Sequence, residues 1–527
     1  MTAPLDVLVV GAGPTGLALA TQLRSYATPF RIVDRSLDRV RESRALAIQP
    51  RTLEMLAPFG VTDDLVDRGN ATVGLHLHLP RRVLRVPVFD VGCDDTPYPY
   101  LLFLPQSETE AVLSAHLAAR GVTVERGTEL LTAEPEGDLV ACRLRHGDGS
   151  EETVRARHVV GCDGAHSTVR TRAGIAFEGY AYPQTFLLAD LEADGLEPGA
   201  VHTYMTAAGL LFFFPLGTPA TWRMIAMQPP GASVGEVTLD LLQRIADDWT
   251  TDDWTTDKPV LRDPVWMTSF RVHNRGATHY RKGPFFLAGD AAHIHSPAGG
   301  QGMNTGIQDA LNLGWNLAHV CRGAAPEDLL ETYEAERAPV GHGVRRLTDR
   351  AFTVGTSSHP ALRLARTRLA PRVAPLALRA TAARALLFRT VSELGIHYRR
   401  GPASGTGPHR PRQGPRAGDR LPDTPAGLQR RVAGPGYHLL LTGPDRAWPE
   451  DPPLGGRRDL VSVHRLGGQS PWPGITHALV RPDGYVGYLA RGTDLTGLRA
   501  HLDHWLPAPW ARGRQPARRR DQPWYVM

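Results

Sequence analysis

Short apolar runs that end on glycine alternate, early in the chain, with stretches in which apolar side chains recur every three or four positions. Asp6-Val7-Leu8-Val9-Val10 is rich in β-branched residues and is stopped by Gly11. It predicts a strand buried on both faces, as in a parallel sheet. From Gly16, the spacing of Leu17, Ala20 and Leu23 predicts a helix, and Phe30 to Val33 predicts a second strand that ends on Asp34. Together these form a β-α-β unit. A further helix is expected near Glu108 to Arg120, with strands near Val122–Glu125 and His158–Val160. Thr72 to Pro105 is broken by prolines, and residues 180–275 read as a β-rich insert. From Thr221 to Met227, alternation places Trp222, Met224 and Ala226 on one face and Arg223, Ile225 and Met227 on the other. Phe285 to Ala288 is another buried strand, and an amphipathic helix carrying Ile307, Leu311, Trp315 and Ala318 follows it. Residues 360–398 read as helical, and Gly401 to Gly418 as a linker or strap. A small α/β unit closes the chain, with a strand at Tyr437–Leu441 and a hairpin of Leu479–Arg481 with Tyr485–Tyr488 across Pro482-Asp483-Gly484.

Composition narrows the class. With 42% apolar and 21% charged residues among 527, the chain can bury a large core. The longest near-apolar run, Ala207 to Gly217, is far short of the roughly 20 residues a membrane helix needs. Met1 to Asp6 carries no basic segment, so no secretory leader is expected and the cytoplasm is the expected compartment. The net charge of +5 invites a nucleic-acid reading. Against it, only Lys258 and Lys282 are lysines, so 57 of the 59 basic residues are arginines, a skew typical of genome composition. No stripe alternates basic with aromatic residues, so neither a nucleic-acid nor a membrane partner is expected. Cys93, Cys142, Cys162 and Cys321 form no C-x-x-C pair and read as buried free thiols.

Three motifs carry chemistry. Gly11-Ala12-Gly13-Pro14-Thr15-Gly16 lies between a strand and a helix, and Asp34 ends the next strand eighteen positions after Gly16. In that context it is a dinucleotide signature: Gly11 for the tight turn, Gly13 for backbone approach to a pyrophosphate at the helix start, and Gly16 for close helix–strand packing. The Asp34 carboxylate suits ribose hydroxyls and disfavours a 2′-phosphate. The second motif runs Gly289-Asp290-Ala291-Ala292-His293, then Pro297-Ala298-Gly299-Gly300-Gln301-Gly302-Met303-Asn304. Asp290 follows a strand, and the glycines bare N–H groups before a helix. Two such acid-plus-helix sites suit one long, two-ended cofactor, and FAD fits. His293 and His295 lack a third ligand in the sequence and read as structural, with no metal expected. The third motif, Cys162-Asp163-Gly164-Ala165-His166-Ser167, joins a strand to a capped helix.

In this order and spacing the three motifs resemble the class A flavoprotein monooxygenases, the para-hydroxybenzoate hydroxylase family. The similarity is greatest to its aromatic polyketide hydroxylases, through Arg416-Ala417-Gly418-Asp419 and Arg481-Pro482-Asp483-Gly484. The resemblance implies an α/β architecture: a discontinuous Rossmann-like FAD-binding domain (1–71, 106–179, 276–400), an inserted β-sheet substrate domain (72–105, 180–275), a linker (401–435) and a small thioredoxin-like C-terminal domain (436–527). It also implies that Gly11, Gly13, Gly16, Asp34 and Arg35 hold the adenosine end of FAD, that Pro14 and Thr15 belong to the cofactor-binding set, that Arg44 and Gln106 flank the cofactor, and that Asp290 binds the flavin chain. Pro297, Gly300, Gly302, Met303 and Asn304 would pack against the isoalloxazine, and Asp163 would serve both FAD and NAD(P)H. Asp34 departs from the family's commoner Glu. All four cysteines precede residue 322, so a thioredoxin-like domain here can do no dithiol chemistry.

The implied activity is FAD-dependent and NAD(P)H-consuming. O₂ forms a flavin C4a-hydroperoxide that hydroxylates a small-molecule polycyclic aromatic, a polyketide. Baeyer–Villiger oxygenation, an oxygen-independent dehydrogenase and a non-catalytic binding protein stay open as alternatives, as do monomer and dimer. A helix starting near Asn304 would stabilise a reduced, anionic flavin through its dipole. Phe212, Phe214, Trp222 and Met224 are the candidate substrate pocket, and sheet core is an equal reading of them. No general base is assigned; His202, Tyr204 and Arg223 are candidates by location alone.

Overall fold

The computed structural model describes residues 3–38, 45–71, 74–79, 82–86, 93–206, 209–217, 220–229, 236–250, 258–296, 299–357, 359–364, 369, 372–373, 380–407, 414–424, 427–468, 470 and 472–507. It divides into two compact units. The first comprises Met1–Ala318, Tyr333–His397 and Pro422–Pro435; the second comprises His319–Thr332, Tyr398–Leu421 and Gly436–Met527.

The first unit contains two large sheets. One runs Arg281–Lys282, Phe285–Leu287, Glu151–Gly161, Leu5–Val10, Phe30–Asp34, Glu125–Arg126. Leu5–Val10 lies parallel to both Glu151–Gly161 and Phe30–Asp34. Val7, Leu8 and Val9 are fully buried, as a continuous β-branched run requires when both faces are covered. The antiparallel hairpin Glu129–Glu136 and Leu139–Arg145, which the sequence reading did not separate out, extends Glu151–Gly161.

The other sheet has eight strands: His293–Ile294, Val260–Ala277, Phe177–Asp194, Trp222–Met227, Leu210–Pro215, Ala200–Met205, Gly74–Leu79, Arg82–Val86. Residues from the segment 72–105 thus pair with residues from 180–275. His293–Ile294, from the second motif, pairs with Arg275 and Gly276 at the sheet's edge.

Register decides which side chains share a face. Phe213 opposes Met224, and Phe214 opposes Arg223. Directly opposed residues share a face. Trp222 and Met224 therefore lie with Leu211 and Phe213, whereas Phe212 and Phe214 lie on the reverse face with Ile225 and Arg223. All six residues of Trp222–Met227 are buried, so the strand is covered on both sides and not half-exposed as its alternation suggests. The helix Leu239–Trp249 supplies Leu242, Ile245, Ala246 and Trp249 to the same core.

Three histidines sit on the Phe213 face, where His202 opposes both Phe213 and His76. His78 Nε2 lies 2.9 Å from His202 Nδ1, and His202 Nε2 lies 2.8 Å from the Glu197 carbonyl. The carbonyl can only accept, so His202 donates from Nε2 and accepts at Nδ1 from His78. This arrangement requires a neutral His202, because a protonated Nδ1 could not accept. Burial pushes His78 down to about 3 and His202 down to about 4. A histidine depressed in the folded state loses stability as pH falls from its unfolded value of about 6.5 toward the folded one. Thermal melts should therefore show a stability loss of up to about 2 kcal/mol from each of the two histidines between pH 7 and pH 5. His78→Gln keeps a donor toward His202 but cannot titrate, and should flatten part of that loss. An unchanged acid slope in this variant would show that the pair does not set it.

The second unit is a five-stranded sheet ordered Gly405–Thr406, Val486–Ala490, His477–Val480, Tyr437–Thr442, Val461–Gly467. Tyr437–Thr442 runs parallel to Val461–Gly467 and antiparallel to His477–Val480, which forms the expected hairpin with Val486–Ala490 around Gly484 at φ +76°. With the closing helix Thr496–Trp505 this is thioredoxin-like topology. Part of the stretch read as a linker, Gly405–Thr406, is its edge strand.

Candidate functional site

The first motif is built by steric exclusion. Gly11 has φ +101°, and a Cβ there would lie 2.3 Å from the Cys162 carbonyl oxygen. A Cβ on Gly16 would lie 1.9 Å from the Gly11 carbonyl oxygen, whereas one on Gly13 would meet nothing within 4 Å among the described residues. Gly13 therefore faces open space while Gly11 and Gly16 are locked into the fold. The helix that follows, Pro14–Ser25, has Pro14 at its start, no side-chain cap and no acidic residue in its first turn. Its positive end is left for an anion. Asp34 accepts the Ala12 N–H at 2.6 Å on one carboxylate oxygen and the Ser36 N–H at 2.8 Å on the other. Each oxygen keeps a lone pair for a hydroxyl. Arg126, from a neighbouring strand, approaches Asp34 at 3.8 Å. Arg35 is exposed and lines a cavity of about 590 Å³ with Ser36, Leu37, Gly127 and His146.

The second motif meets the first at Thr15. A Cβ on Gly289 or on Gly306 would lie 2.5 Å from Thr15 Oγ1. The third joins them: Cys162 N–H donates to the Val10 carbonyl, and the Arg170 guanidinium donates to the Ala291 carbonyl at 2.8 Å. The three motifs thus adjoin one another, and Asp290 within the second is exposed. Asp163 accepts from Ser167 Oγ and from the Thr168 and Val169 N–H groups, so its carboxylate caps the following helical turn. Burial pushes its carboxyl above the usual range.

The helix Gly302–Cys321 organises what surrounds the glycine turn. Its sequence reads as amphipathic, yet every residue from Met303 to Ala318 is buried. The polar stripe faces partners in place of water. Asn304 accepts the Gln49 N–H at 2.8 Å and donates to the carbonyls of Ala47 and Gly300. Asp309 accepts from the Gly289 N–H at 3.1 Å, pairs with His293 Nε2 at 2.7 Å and with Arg337 Nε at 2.7 Å. Burial pushes the Asp309 carboxyl up, but Arg337 and His293 outweigh it and hold it below the usual range. Gly299 and Gly300 are exposed at φ +84° and +63°, backed by Gln49, whose amide donates to the Gly299 carbonyl. Gly302 and Met303 begin the helix. Gln106 donates from its backbone to Ala45 and from its amide to Glu110. Arg44 and Pro297 lie outside the described residues. Sequence reasoning missed Gln49, Arg126 and Arg337. The one available signal was the 3.6-residue repeat of polar positions 304, 305, 308, 309, 312 and 316.

The candidate pocket residues are not brought together. Phe214 stands 6.2 Å from the Phe103 ring. Phe103 pairs with Ala47, against whose Cβ a Cβ on Gly300 would lie at 3.3 Å. Phe212 stacks on Phe214 at 5.7 Å. Trp222 and Met224 lie on the reverse face of the sheet. His202 and Tyr204 share that reverse face, and both His202 nitrogens are engaged. Arg223 is on the Phe214 face but is held by Asp190 through two bonds of 2.6 and 2.7 Å. Among the described residues, no group of three His, Cys, Asp or Glu is arranged to hold a metal, and no helix is long and apolar enough to cross a membrane.

The residues present fit FAD on structural grounds. Gly13 leaves space at an uncapped helix start, Asp34 offers hydroxyl acceptors, and the three motifs are in contact with one another. Residues 4–348 match the family described as FAD binding domain, and residues 414–509 match the aromatic-ring hydroxylase C-terminal family. A 6-methylpretetramide 4-monooxygenase of Streptomyces rimosus is 36% identical over 96% of this chain and 95% of its own. A 12-dehydrotetracycline 5-monooxygenase/anhydrotetracycline 6-monooxygenase of the same species is 32% identical over 96% and 99%. Among solved structures, an anhydrotetracycline hydroxylase from Streptomyces rimosus aligns with TM-score 0.74 at 29% identity, covering 96% of this chain and all of that one. An aromatic hydroxylase from angucycline biosynthesis aligns with TM-score 0.73 at 30% identity over the same shares.

Proposed function

The chain belongs to the FAD-binding aromatic-ring hydroxylases, and from that premise we propose that it consumes NAD(P)H and O₂ to hydroxylate a polycyclic aromatic polyketide. The observation that carries this reading is the convergence of all three motifs on Thr15 and Ala291 beside a glycine turn that the Phe103–Phe214 aromatic wall adjoins. When bound, FAD supplies the two-electron chemistry that activates dioxygen.

In this reading the chain's own residues do the placing. The start of Pro14–Ser25 receives the pyrophosphate and Asp34 the ribose. Gly299 and Gly300, held by Gln49 and Asn304, present backbone to the ring system. Phe212 and Phe214 give a planar substrate an apolar face that keeps water away from the reacting atoms. Arg223, committed to Asp190, holds the strands beneath that face and is not offered as a base.

The reading is tested by screening polycyclic phenols for acceleration of NADH or NADPH oxidation, with products weighed for one added oxygen. Labelled O₂ should appear in a phenolic hydroxyl. Label in a lactone would favour Baeyer–Villiger chemistry, and undiminished anaerobic turnover with an artificial acceptor would favour a dehydrogenase. Phe214→Ala should raise KM for the aromatic by about tenfold with a smaller change in kcat. Trp222→Ala, on the other face, should instead lower Tm.

A further inference from the structure

Glu393 is 2% exposed and sits at φ +60°, just behind the helix Thr381–Val391 and its cap residue Ser392. A position of that backbone form after a helix normally takes Gly or Asn, because a Cβ there is strained. A buried carboxyl held at a strained position points to a task for the side chain.

Its surroundings tie it to the glycine turn. Gln301 donates from its amide to the Thr390 carbonyl at 3.2 Å, and Ser392 accepts the Arg51 N–H at 3.3 Å. The segment 390–393 therefore lies between the starts of the helices Pro50–Leu56 and Gly302–Cys321. Glu393 Oε2 receives the Gln308 amide, and Oε1 lies 3.3 Å from Thr305 Oγ1. Thr305 Oγ1 also lies 2.9 Å from the Gln301 carbonyl, which can only accept. The one hydroxyl proton of Thr305 thus goes to Gln301. A proton on Glu393 Oε1 then completes the array by donating to Thr305.

No cation pairs with Glu393 among the described residues. Arg337, on the helix Glu331–Thr356, is committed to Asp309 and to the Thr305 carbonyl. Asp309 adds a like charge, and the helix Pro50–Leu56 contributes only the paired Arg51 and Glu54. Gln301 Oε1 and Gln308 Oε1, both acceptors, have no hydrogen-bond partner among the described residues, so the chamber is polar and holds acceptors that lack a donor. Burial pushes the Glu393 carboxyl up to about 8.

We propose that Glu393 is a positioning residue that works as a neutral carboxylic acid, clamping the turn and first helical residues Gln301–Thr305 at the place read above as the seat of the flavin ring, and that its ionisation releases this clamp. Neutrality also leaves the positive end of the helix Gly302–Cys321 for the cofactor's charge. The proposal rests on FAD occupying the glycine turn.

Wild type, Glu393→Gln and Glu393→Gly are compared. Glu393→Gly relieves the backbone strain while removing the carboxyl, so it keeps the test open if other variants misfold. FAD affinity, read by flavin fluorescence, should weaken about fivefold in wild type between pH 6.5 and pH 9.5 and stay flat in Glu393→Gln. Glu393→Gly should bind FAD more weakly at both pH values. The apoprotein gives a second readout. An acid whose folded value is raised loses stability as pH climbs from its unfolded value toward the folded one. The Tm of apo wild type should thus fall relative to apo Glu393→Gln between about pH 5 and pH 8, then run level. Superimposable wild-type and Glu393→Gln profiles, or Glu393→Gly binding FAD as wild type does, would overturn the proposal. A wild-type protein that binds no FAD at all would overturn the functional reading beneath it.

Discussion

Gly16→Ala is expected to give protein that is purified without its yellow colour. The added Cβ would sit 1.9 Å from the Gly11 carbonyl oxygen, 3.0 Å from its carbon and 3.3 Å from the Cys162 Cβ. None of these can retreat easily. Gly11 is itself pressed against the Cys162 backbone, and its N–H donates to the Val33 carbonyl at 2.8 Å. The helix Pro14–Ser25 must therefore shift away from the strand. Overpacking of this kind costs roughly 1–3 kcal/mol, so a shift that also misplaces the helix start should weaken FAD binding up to about a hundredfold. Gly13→Ala is the instructive comparison, because its Cβ would meet nothing within 4 Å among the described residues beyond its chain neighbours. That variant should melt like wild type as apoprotein and still bind FAD more weakly. Titration of both apoproteins with FAD is the measurement. A Gly16→Ala protein that retains stoichiometric FAD would remove the cofactor from this motif.

Arg337→Leu should lower the Tm of the apoprotein by on the order of 10 °C. Arg337 and Asp309 are both fully buried, and Asp309 also holds the Gly289 N–H and His293. Removing the guanidinium leaves a buried carboxylate with one histidine partner, a loss of roughly 3–5 kcal/mol. Against a typical total of about 5–15 kcal/mol this is a large fraction. The double variant Arg337→Leu with Asp309→Asn removes both charges and should recover part of the loss, because much of the cost is an unpaired charge and not a missing attraction. Calorimetry of the three proteins checks this. A double variant no more stable than Arg337→Leu would show that the ion pair is not the source of the effect.

The first of these sites was legible in the sequence and the second was not. Gly11, Gly13 and Gly16 act within six residues, where backbone sterics are local, and Asp34 follows at the end of the next strand. Arg337 is 28 residues from Asp309, and Glu393 is 88 from Thr305. No periodicity links such positions. The polar repeat from Asn304 to Asn316 was visible, but the same spacing describes a solvent-facing stripe and a buried one. What tells them apart is the set of chain segments that surround the helix.

The sequence alone determined the β-α-β unit, the three motifs, the family resemblance and the hairpin around Gly484, because each depends on neighbours within one or two elements. Only the tertiary structure decided which side of the inserted sheet looks toward the glycine turn. Alternation assigns two faces within each strand, but register relates the faces of different strands. Phe213 opposes Met224, so an odd position on one strand matches an even position on the next. That parity puts Phe212 and Phe214 on one face and Trp222 and Met224 on the other. A one-residue slip would have reversed the assignment, and nothing within either strand's own sequence forbids it.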